Sequence, residues 1–387
     1  MHVALFIERF EAAGGGLEHA AWQTAHTLAE AGDRVTVVCR SCDSSDAVET
    51  VRLRVPSFWQ PLRIQRYATL ASKWLAAHRS EHGEQGEQGE RRVDVSHAWS
   101  RVPGADIFHT GEGCHADYMK RTYGERGARL RRASPRHIAQ LRLERDVYTH
   151  AEPAVTAQCV SSSVAEQLLD RYGLGAERTP IIGYGVDTDR FAPVSEAAAE
   201  RARRNLVGTA PAVGTPVFAF VGSGWRRKGL DTAIGALAGS RDERAELWVA
   251  GRDNPGSWRK LAAALGVEKR VRFLGARADI EAVYAACDAW LLPTRYDAFG
   301  LVGLEAAAAG LPGIVSSAAG VSEVVGPASI VVDSAEDTAG FSAAIDRLCD
   351  AGERKRLGER ALGIAAEQTW RAKTEQLRTL YARVRPS

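Results

Sequence analysis

The sequence predicts an α/β protein built on two doubly wound parallel sheets. Three observations carry that prediction. Short apolar, β-branched runs alternate with longer helical runs, as in βαβ units. In the second half these strand-sized runs lie about 15 to 30 residues apart, the spacing a parallel crossover needs. The chain has 387 residues, enough for two or three cores.

The elements follow in order. Val3 to Ile7 reads as a strand, Gly14-Gly15-Gly16 as a loop, and Leu17 to Ala31 as a helix stopped by Gly32. Val35 to Cys39 is the next parallel strand. Gly83 to Glu90 is a short polar repeat, expected to be a mobile surface loop. Val93 to His97 and Ala105 to His109 are strands ending in histidine, and Val155 to Val160 is the last strand of the first half. A second set begins at Val217 to Gly222. It continues through Leu247 to Gly251, Val271 to Gly275, Ala289 to Pro293 and Gly313 to Ser316. The segment from Gln368 to Val384 reads as an amphipathic helix.

Composition narrows the function classes. A formal charge of +2 argues neither for nor against nucleic acid. The cysteines are Cys39, Cys42, Cys114, Cys159, Cys287 and Cys349. Cys39-x-x-Cys42 has no second pair or histidine at ligand spacing, which sets a zinc site aside and favours a reduced, cytosolic chain. The apolar run inside Met1 to Glu8 is too short for a signal peptide and has no basic prelude. No stretch approaches the roughly 18 apolar residues of a bilayer span. The expectation is a soluble protein, or one lying on a membrane surface.

Two segments concentrate the chemistry. Arg295-Tyr296-Asp297-Ala298-Phe299-Gly300-Leu301-Val302-Gly303-Leu304-Glu305 follows a buried strand and opens a helix that stops at Gly310-Leu311-Pro312. Asp297 therefore falls in the loop beyond a strand's carboxyl end, where α/β folds bind ligands. Gly300 and Leu301 start a helix whose N–H groups favour an anion such as a diphosphate. Glu305, about a turn and a half in, reaches a ribose. The rival reading is helix capping and a solvated face. Val221-Gly222-Ser223-Gly224-Trp225-Arg226-Arg227-Lys228-Gly229 occupies the same strand-to-helix position. Its cations suit a diphosphate, arginine bidentately and lysine as a point charge. Arg226 is read as solvent-facing.

Gly14-Gly15-Gly16 permits close backbone approach to a ligand. A dinucleotide site is its rival, but Gly-x-Gly-x-x-Gly is absent and the second strand ends in Cys39-Arg40 rather than an acid.

The acid segment resembles the Glu-x7-Glu signature of the family-4 retaining glycosyltransferases of GT-B architecture, with aspartate at the first position. That resemblance implies two Rossmann-like domains with parallel sheets facing a cleft. It places an acceptor domain at 1–186 and a nucleotide-sugar domain at 187–366. A terminal segment, 367–387, then returns as a helix to the first domain. Ile181 to Pro193 resembles the family linker, with Tyr184 in place of asparagine. By the same resemblance Glu305 holds the ribose hydroxyls, Asp297 contacts the donor sugar, and Phe299, Gly300 and Leu301 line the nucleotide. Arg227 and Lys228 hold the diphosphate, Gly15 and Gly16 approach it from the other domain, and Arg277 meets the base. Gly320-Val321-Ser322-Glu323-Val324-Val325 resembles the segment that follows the acid motif.

Val102 to Ala116 resembles the lipopolysaccharide-core α-glucosyltransferase branch, in which an acid sits at Glu112. Glu112 is therefore expected at the reacting centre, with His109 second, although a buried, satisfied histidine is an equal reading. Residues 118–145 carry Lys120, Arg121, Arg126, Arg129, Arg131, Arg132, Arg136, Arg142 and Arg145 among Tyr118, Met119, Tyr123, Leu130, Ile138 and Leu141. Such a mixture suits an anionic membrane. Nucleic acid and a merely solvated face are its rivals.

The implied reaction is transfer of a hexose, glucose first, from a UDP-sugar co-substrate to an inner-core heptose of lipopolysaccharide. The enzyme would be cytoplasmic, peripheral on the inner face of the inner membrane. The family scheme is front-face attack, with no separate cofactor and no metal. Asp187-Thr188-Asp189 has a metal-motif spacing but lies in the linker. A soluble small-molecule acceptor, a UDP-sugar epimerase and a non-catalytic UDP-sugar-binding protein of the same fold remain as alternatives.

Overall fold

The computed structural model describes residues 1–56, 58–79, 92–149, 154–208 and 211–384. The polar repeat from Gly83 to Glu90 lies outside them. The chain divides into two compact units: Met1–Tyr184 with Trp370–Ser387, and Gly185–Thr369.

The strands of the first unit are β1 (His2–Phe6), β2 (Arg9–Phe10), β3 (Arg34–Cys39), β4 (Ser41–Cys42), β5 (Glu49–Arg52), β6 (Val95–Ala98), β7 (Ile107–His109) and β8 (Thr156–Gln158). Its helices are α1 (Gly16–Glu30), α2 (Gln60–Arg79), α3 (His115–Arg131), α4 (Pro135–Thr149) and α5 (Ser162–Tyr172). The main sheet is parallel in the order β5-β3-β1-β6-β7-β8, while β2 and β4 form a separate pair. β1 reads His-Val-Ala-Leu-Phe and is buried along its whole length, as a central strand covered on both faces must be. α1 ends where Gly32 takes φ +87°, a conformation glycine adopts without strain. α3 is kinked at Gly124, which has φ 70° and ψ 170°.

The second unit holds β9 (Val217–Val221), β10 (Glu246–Ala250), β11 (Val271–Gly275), β12 (Ala289–Leu292), β13 (Gly313–Ser316) and β14 (Ser329–Val332). Its helices are α6 (Glu196–Val207), α7 (Leu230–Gly239), α8 (Gly256–Ala264), α9 (Ile280–Ala285), α10 (Leu301–Ala308), α11 (Ser322–Val325), α12 (Thr338–Leu348) and α13 (Ala351–Glu367). Its parallel sheet runs β11-β10-β9-β12-β13-β14. Its core is formed by Phe218, Phe220, Leu247, Val249, Leu291 and Ile314 from the sheet, with Trp225, Ile234 and Phe341 packed on it.

The last helix, α14 (Trp370–Val384), belongs to the first unit. It docks through buried contacts: the Tyr381 hydroxyl lies 2.8 Å from His97 Nδ1, and the Thr27 and Thr374 hydroxyls are 2.6 Å apart.

Both sheets therefore have the strand order in which the chain starts in the middle, winds to one edge, and returns to wind to the other. The reversal falls between β1 and β6 in one unit and between β9 and β12 in the other. Ligands of such sheets bind beyond the carboxyl ends of the two strands flanking that reversal. The residues following Phe6, Ala98, Val221 and Leu292 thus occupy the positions where chemistry is expected.

Candidate active site

In the second unit the residues after β9 form a tight loop whose shape is set by glycine. Gly222 has φ +115°, and a Cβ there would lie 2.8 Å from Lys228 Cε, so its hydrogen makes room for the lysine stem. Gly229 has φ +76°, and a Cβ there would come within 1.9 Å of the Pro293 carbonyl oxygen. Only glycine lets the start of α7 approach the end of β12 so closely. Asp253 caps the loop, accepting from the Gly224 N–H at 2.8 Å and the Trp225 N–H at 3.2 Å. Trp225 is buried and donates from its indole to the Gly222 carbonyl at 2.9 Å.

That close approach brings the basic loop onto the acid loop. Lys228 Nζ lies 2.9 Å from Asp297 Oδ2, and Arg227 Nη1 lies 3.4 Å from the same oxygen. Arg227 also donates to the Tyr296 carbonyl at 2.5 Å. The side chains of Lys228, Asp297 and Arg227 are 8%, 18% and 22% exposed, so these charges meet largely out of water. Burial alone would raise the Asp297 carboxyl, but the Lys228 and Arg227 charges overcome it and hold it down to about 2. Asp297 Oδ2 is thus shared by two cations. Arg226 is exposed.

Arg295, which carried no role in the sequence reading, ties the two loops together. Its N–H donates to the Arg227 carbonyl at 2.9 Å. Its guanidinium reaches the Arg226 carbonyl at 2.6 Å and grips Asp231 at 3.0 and 2.8 Å. Beyond Asp297, Gly300 takes φ +100°, and α10 begins without a side-chain cap, the Gly303 N–H donating to the Gly300 carbonyl at 2.9 Å. Phe299 is buried, and its carbonyl accepts from the Val321 N–H at 2.6 Å. Leu301 is half-buried at the helix start. Glu305 is half-buried, with Oε2 accepting from the Tyr284 hydroxyl at 3.0 Å.

The Arg277 guanidinium forms a two-point ion pair with Asp279, 2.8 Å from Nε and 2.5 Å from Nη2. Glu323 is exposed.

In the first unit Gly15 is the N-cap of α1, and Gly16 is its first residue. A Cβ on Gly15 would meet the Glu18 carboxylate at 2.7 Å. The cavity at the ends of β1, β3 and β6 has a volume of about 350 Å³. Glu112 lines it and pairs with the buried Arg101 at 2.9 Å. Arg101 also donates to Gln140 at 2.6 Å and Glu144 at 3.0 Å.

His109 has the features of the second of its two readings, a buried and satisfied histidine. It is 2% exposed, and both ring nitrogens are engaged at 2.9 Å, Nδ1 with Gln158 Oε1 and Nε2 with the Tyr184 hydroxyl. Its ring stacks on Trp99 at 3.7 Å, and burial pushes its pKa down to about 4. Tyr184, the departure from the linker pattern, is one of its two hydrogen-bond partners. The basic segment is also only partly as expected. All nine of its lysine and arginine side chains are exposed. Met119 is buried, and Tyr118, Tyr123, Ile138 and Leu141 are half-buried, so they pack between helices rather than face outward. Leu130 alone among these apolar residues stands out, at 80% exposed.

Comparison with known proteins fits this geometry. The family described as Glycosyltransferase Family 4 matches residues 14–190, and Glycosyl transferases group 1 matches residues 215–351. A D-inositol 3-phosphate glycosyltransferase of Corynebacterium glutamicum is 33% identical over 56% of this chain and 54% of its own length. The chain thus spans about half the length of that relative. A probable transglycosylase of Burkholderia thailandensis is 31% identical over 86% of this chain and 82% of its own. The lipopolysaccharide glucosyltransferase WaaG of Escherichia coli is 27% identical over 76% and 75%. The crystal structure of WaaG, a glycosyltransferase involved in lipopolysaccharide biosynthesis, superposes with a TM-score of 0.80 at 23% identity, covering 98% of this chain and 99% of that one. Two matched family segments, a relative matched along most of both chains, and a pair of parallel sheets agree: the chain belongs to the group 1 and family 4 glycosyltransferases and has the GT-B fold.

Proposed function

We propose that this glycosyltransferase moves a hexose, glucose first, from a UDP-sugar to a hydroxyl of an inner-core heptose of lipopolysaccharide, with retention at the anomeric carbon and without a metal. The observation that carries the donor reading is the shared ion pair of Lys228 and Arg227 with Asp297 at the sheet's reversal point, beside the uncapped start of α10. A diphosphate has the charge to draw the two cations toward itself. In transfer, negative charge grows on the diphosphate as the sugar departs, and fixed cations stabilise that charge more than they stabilise the intact donor. Asp297, released from part of its pairing, would accept hydrogen bonds from donor-sugar hydroxyls. Glu305, steadied by Tyr284, would take the ribose. Glu112 would be the polar contact on the acceptor side. Structures of similar fold crystallised with UDP and glucose, or with UDP-glucose, support a UDP-sugar donor.

The acceptor reading leans on the likeness to WaaG. A soluble acceptor is the second reading, favoured by the 33% identity to inositol 3-phosphate glycosyltransferases. Peripheral attachment to the inner face of a membrane is part of the first reading and rests on the nine exposed basic side chains with Leu130. No helix among the described residues is long and apolar enough to cross a membrane. Screening UDP-hexoses for slow hydrolysis in the absence of acceptor tests the proposal: one of them, UDP-glucose first, should release UDP. Inertness toward every UDP-hexose, with no UDP binding, would overturn it.

A further inference from the structure

Cys39 ends β3 and Cys42 ends β4, with Arg40 and Ser41 between them. Side chains alternate across a strand, so positions three apart would face opposite ways. Here the N–H groups of Arg40 and Ser41 both donate to one carbonyl, that of Glu8, at 2.9 and 3.3 Å. Two successive donors on one acceptor make a bulge, which inserts a residue and re-aims the side chains that follow it. The Cys39 and Cys42 thiols consequently meet and share a hydrogen bond.

The two sulfurs differ. Cys39 is fully buried, and burial, with Cys42 beside it, pushes its thiol up to about 12. Cys42 is half-buried. Arg52 of β5 stands opposite Cys39 in the sheet register, yet its side chain turns to Cys42, with Nε 3.0 Å from Sγ and Nη2 3.2 Å from the carbonyl oxygen. A guanidinium on a sulfur stabilises the charge that a thiol carries when it attacks. An accessible sulfur beside a cation, with a second sulfur buried against it, is the arrangement of a nucleophilic cysteine and a resolving one.

We propose that Cys39 and Cys42 form a thiol-modification site that reacts with low-molecular-weight disulfides and closes to an intramolecular disulfide. The Cys42 thiolate attacks one sulfur of the reagent, whose S–S bond breaks, and one thiol departs with the proton that Cys42 gave up. Cys39, passing its own proton to the second leaving thiolate, then attacks Cys42 Sγ and expels it. The two cysteines are oxidised and the reagent is reduced to two thiols. Because the two thiols already meet, closure clamps the bulge without displacing it. Arg40, which lines the cavity of the first unit and has Nε 3.2 Å from Glu8 Oε1, is held with it. The site stands apart from the donor and acceptor readings.

The test treats the full chain with oxidised glutathione, alkylates the remaining thiols in denaturant, and maps the cysteines by mass spectrometry. Trypsin cleaves after Arg40, so the expected disulfide joins two peptides, one with Cys39 and one with Cys42, and dithiothreitol separates them. Cys39→Ala should stop at a glutathione adduct on Cys42, and Cys42→Ala should leave Cys39 unmodified. Arg52→Leu should slow the reaction at least about tenfold. In the wild type, hydrogen exchange at the Arg40 and Ser41 amides should slow at least about tenfold on oxidation. The wild-type readings need no variant to fold, and melting curves of the reduced variants check that they do. The proposal is overturned if Cys39 and Cys42 both stay alkylatable, or if wild-type Cys42 keeps its glutathione adduct. Reaction of Cys39 in Cys42→Ala, an unchanged rate in Arg52→Leu, or amide exchange that does not slow would also overturn it.

Discussion

Lys228→Met removes the charge nearest Asp297 while keeping an apolar stem of similar length. In the wild type the Asp297 carboxyl is depressed from 3.8 to about 2 against the opposing effect of burial. At about 1.36 kcal/mol per pH unit this is roughly 2.5 kcal/mol of net stabilisation from the pairing. Arg227 remains 3.4 Å away in the variant, and Asp297 keeps 18% exposure, so the loss should stay below the about 3–5 kcal/mol of a fully buried orphan charge. We expect about 2 kcal/mol at pH 7. For a unit of this size that is a fall of roughly 4–8 °C in Tm. The folded-state pKa is the lower one, so the wild-type contribution is complete above about pH 5 and is lost as pH falls toward 2. Urea denaturation of the wild type, Lys228→Met, Asp297→Asn and the double variant isolates the pair. A coupling energy within about 0.5 kcal/mol of zero at pH 7 would refute the assignment of the low pKa to this contact.

Gly229→Ala should cost at least about 3 kcal/mol and release α7 from the end of β12, since it combines a positive φ with a 1.9 Å approach to Pro293; a normal melting curve would contradict that packing. Glu305→Gln should weaken UDP binding about tenfold in calorimetry with the fold intact, because charge-assisted bonds to ribose become neutral ones; unchanged affinity would remove Glu305 from the nucleotide site. Replacing Arg129, Arg131 and Arg132 with glutamate should abolish co-sedimentation with anionic vesicles at low salt while donor hydrolysis persists, each basic residue contributing roughly 1 kcal/mol; a wild type that ignores such vesicles would favour the soluble acceptor.

Much of the fold was legible because glycine-stopped helices and buried β-branched runs are local signals. The edge strands were not. Glu49–Arg52 is largely exposed and polar, and Ser329–Val332 is only half covered, so neither has the apolar signature of β1 or β12. That Lys228, Arg227 and Asp297 share one end of the sheet was legible because each lies in the loop that follows a buried strand; their contact was not. Arg295 was missed because its role depends on two loops distant in sequence coming together. Glu8, Arg40 and Arg101 also follow strand ends immediately, and that adjacency was the available signal; charged residues there look like solvated loop until the sheet order places them around one cavity. The two readings of His109 were not separable in the sequence, because nothing local reveals Trp99 stacking over it or Tyr184 closing its second nitrogen.

The most direct test of the account is NMR observation of UDP-glucose with the purified chain in EDTA, alongside Asp297→Ala. The wild type should release UDP and yield sugar that first appears as the α-anomer. Asp297→Ala should bind UDP with unchanged affinity yet release none from the sugar nucleotide. First appearance of the β-anomer, or turnover that stops in EDTA and returns with manganese, would contradict a retaining reaction driven by Arg227 and Lys228.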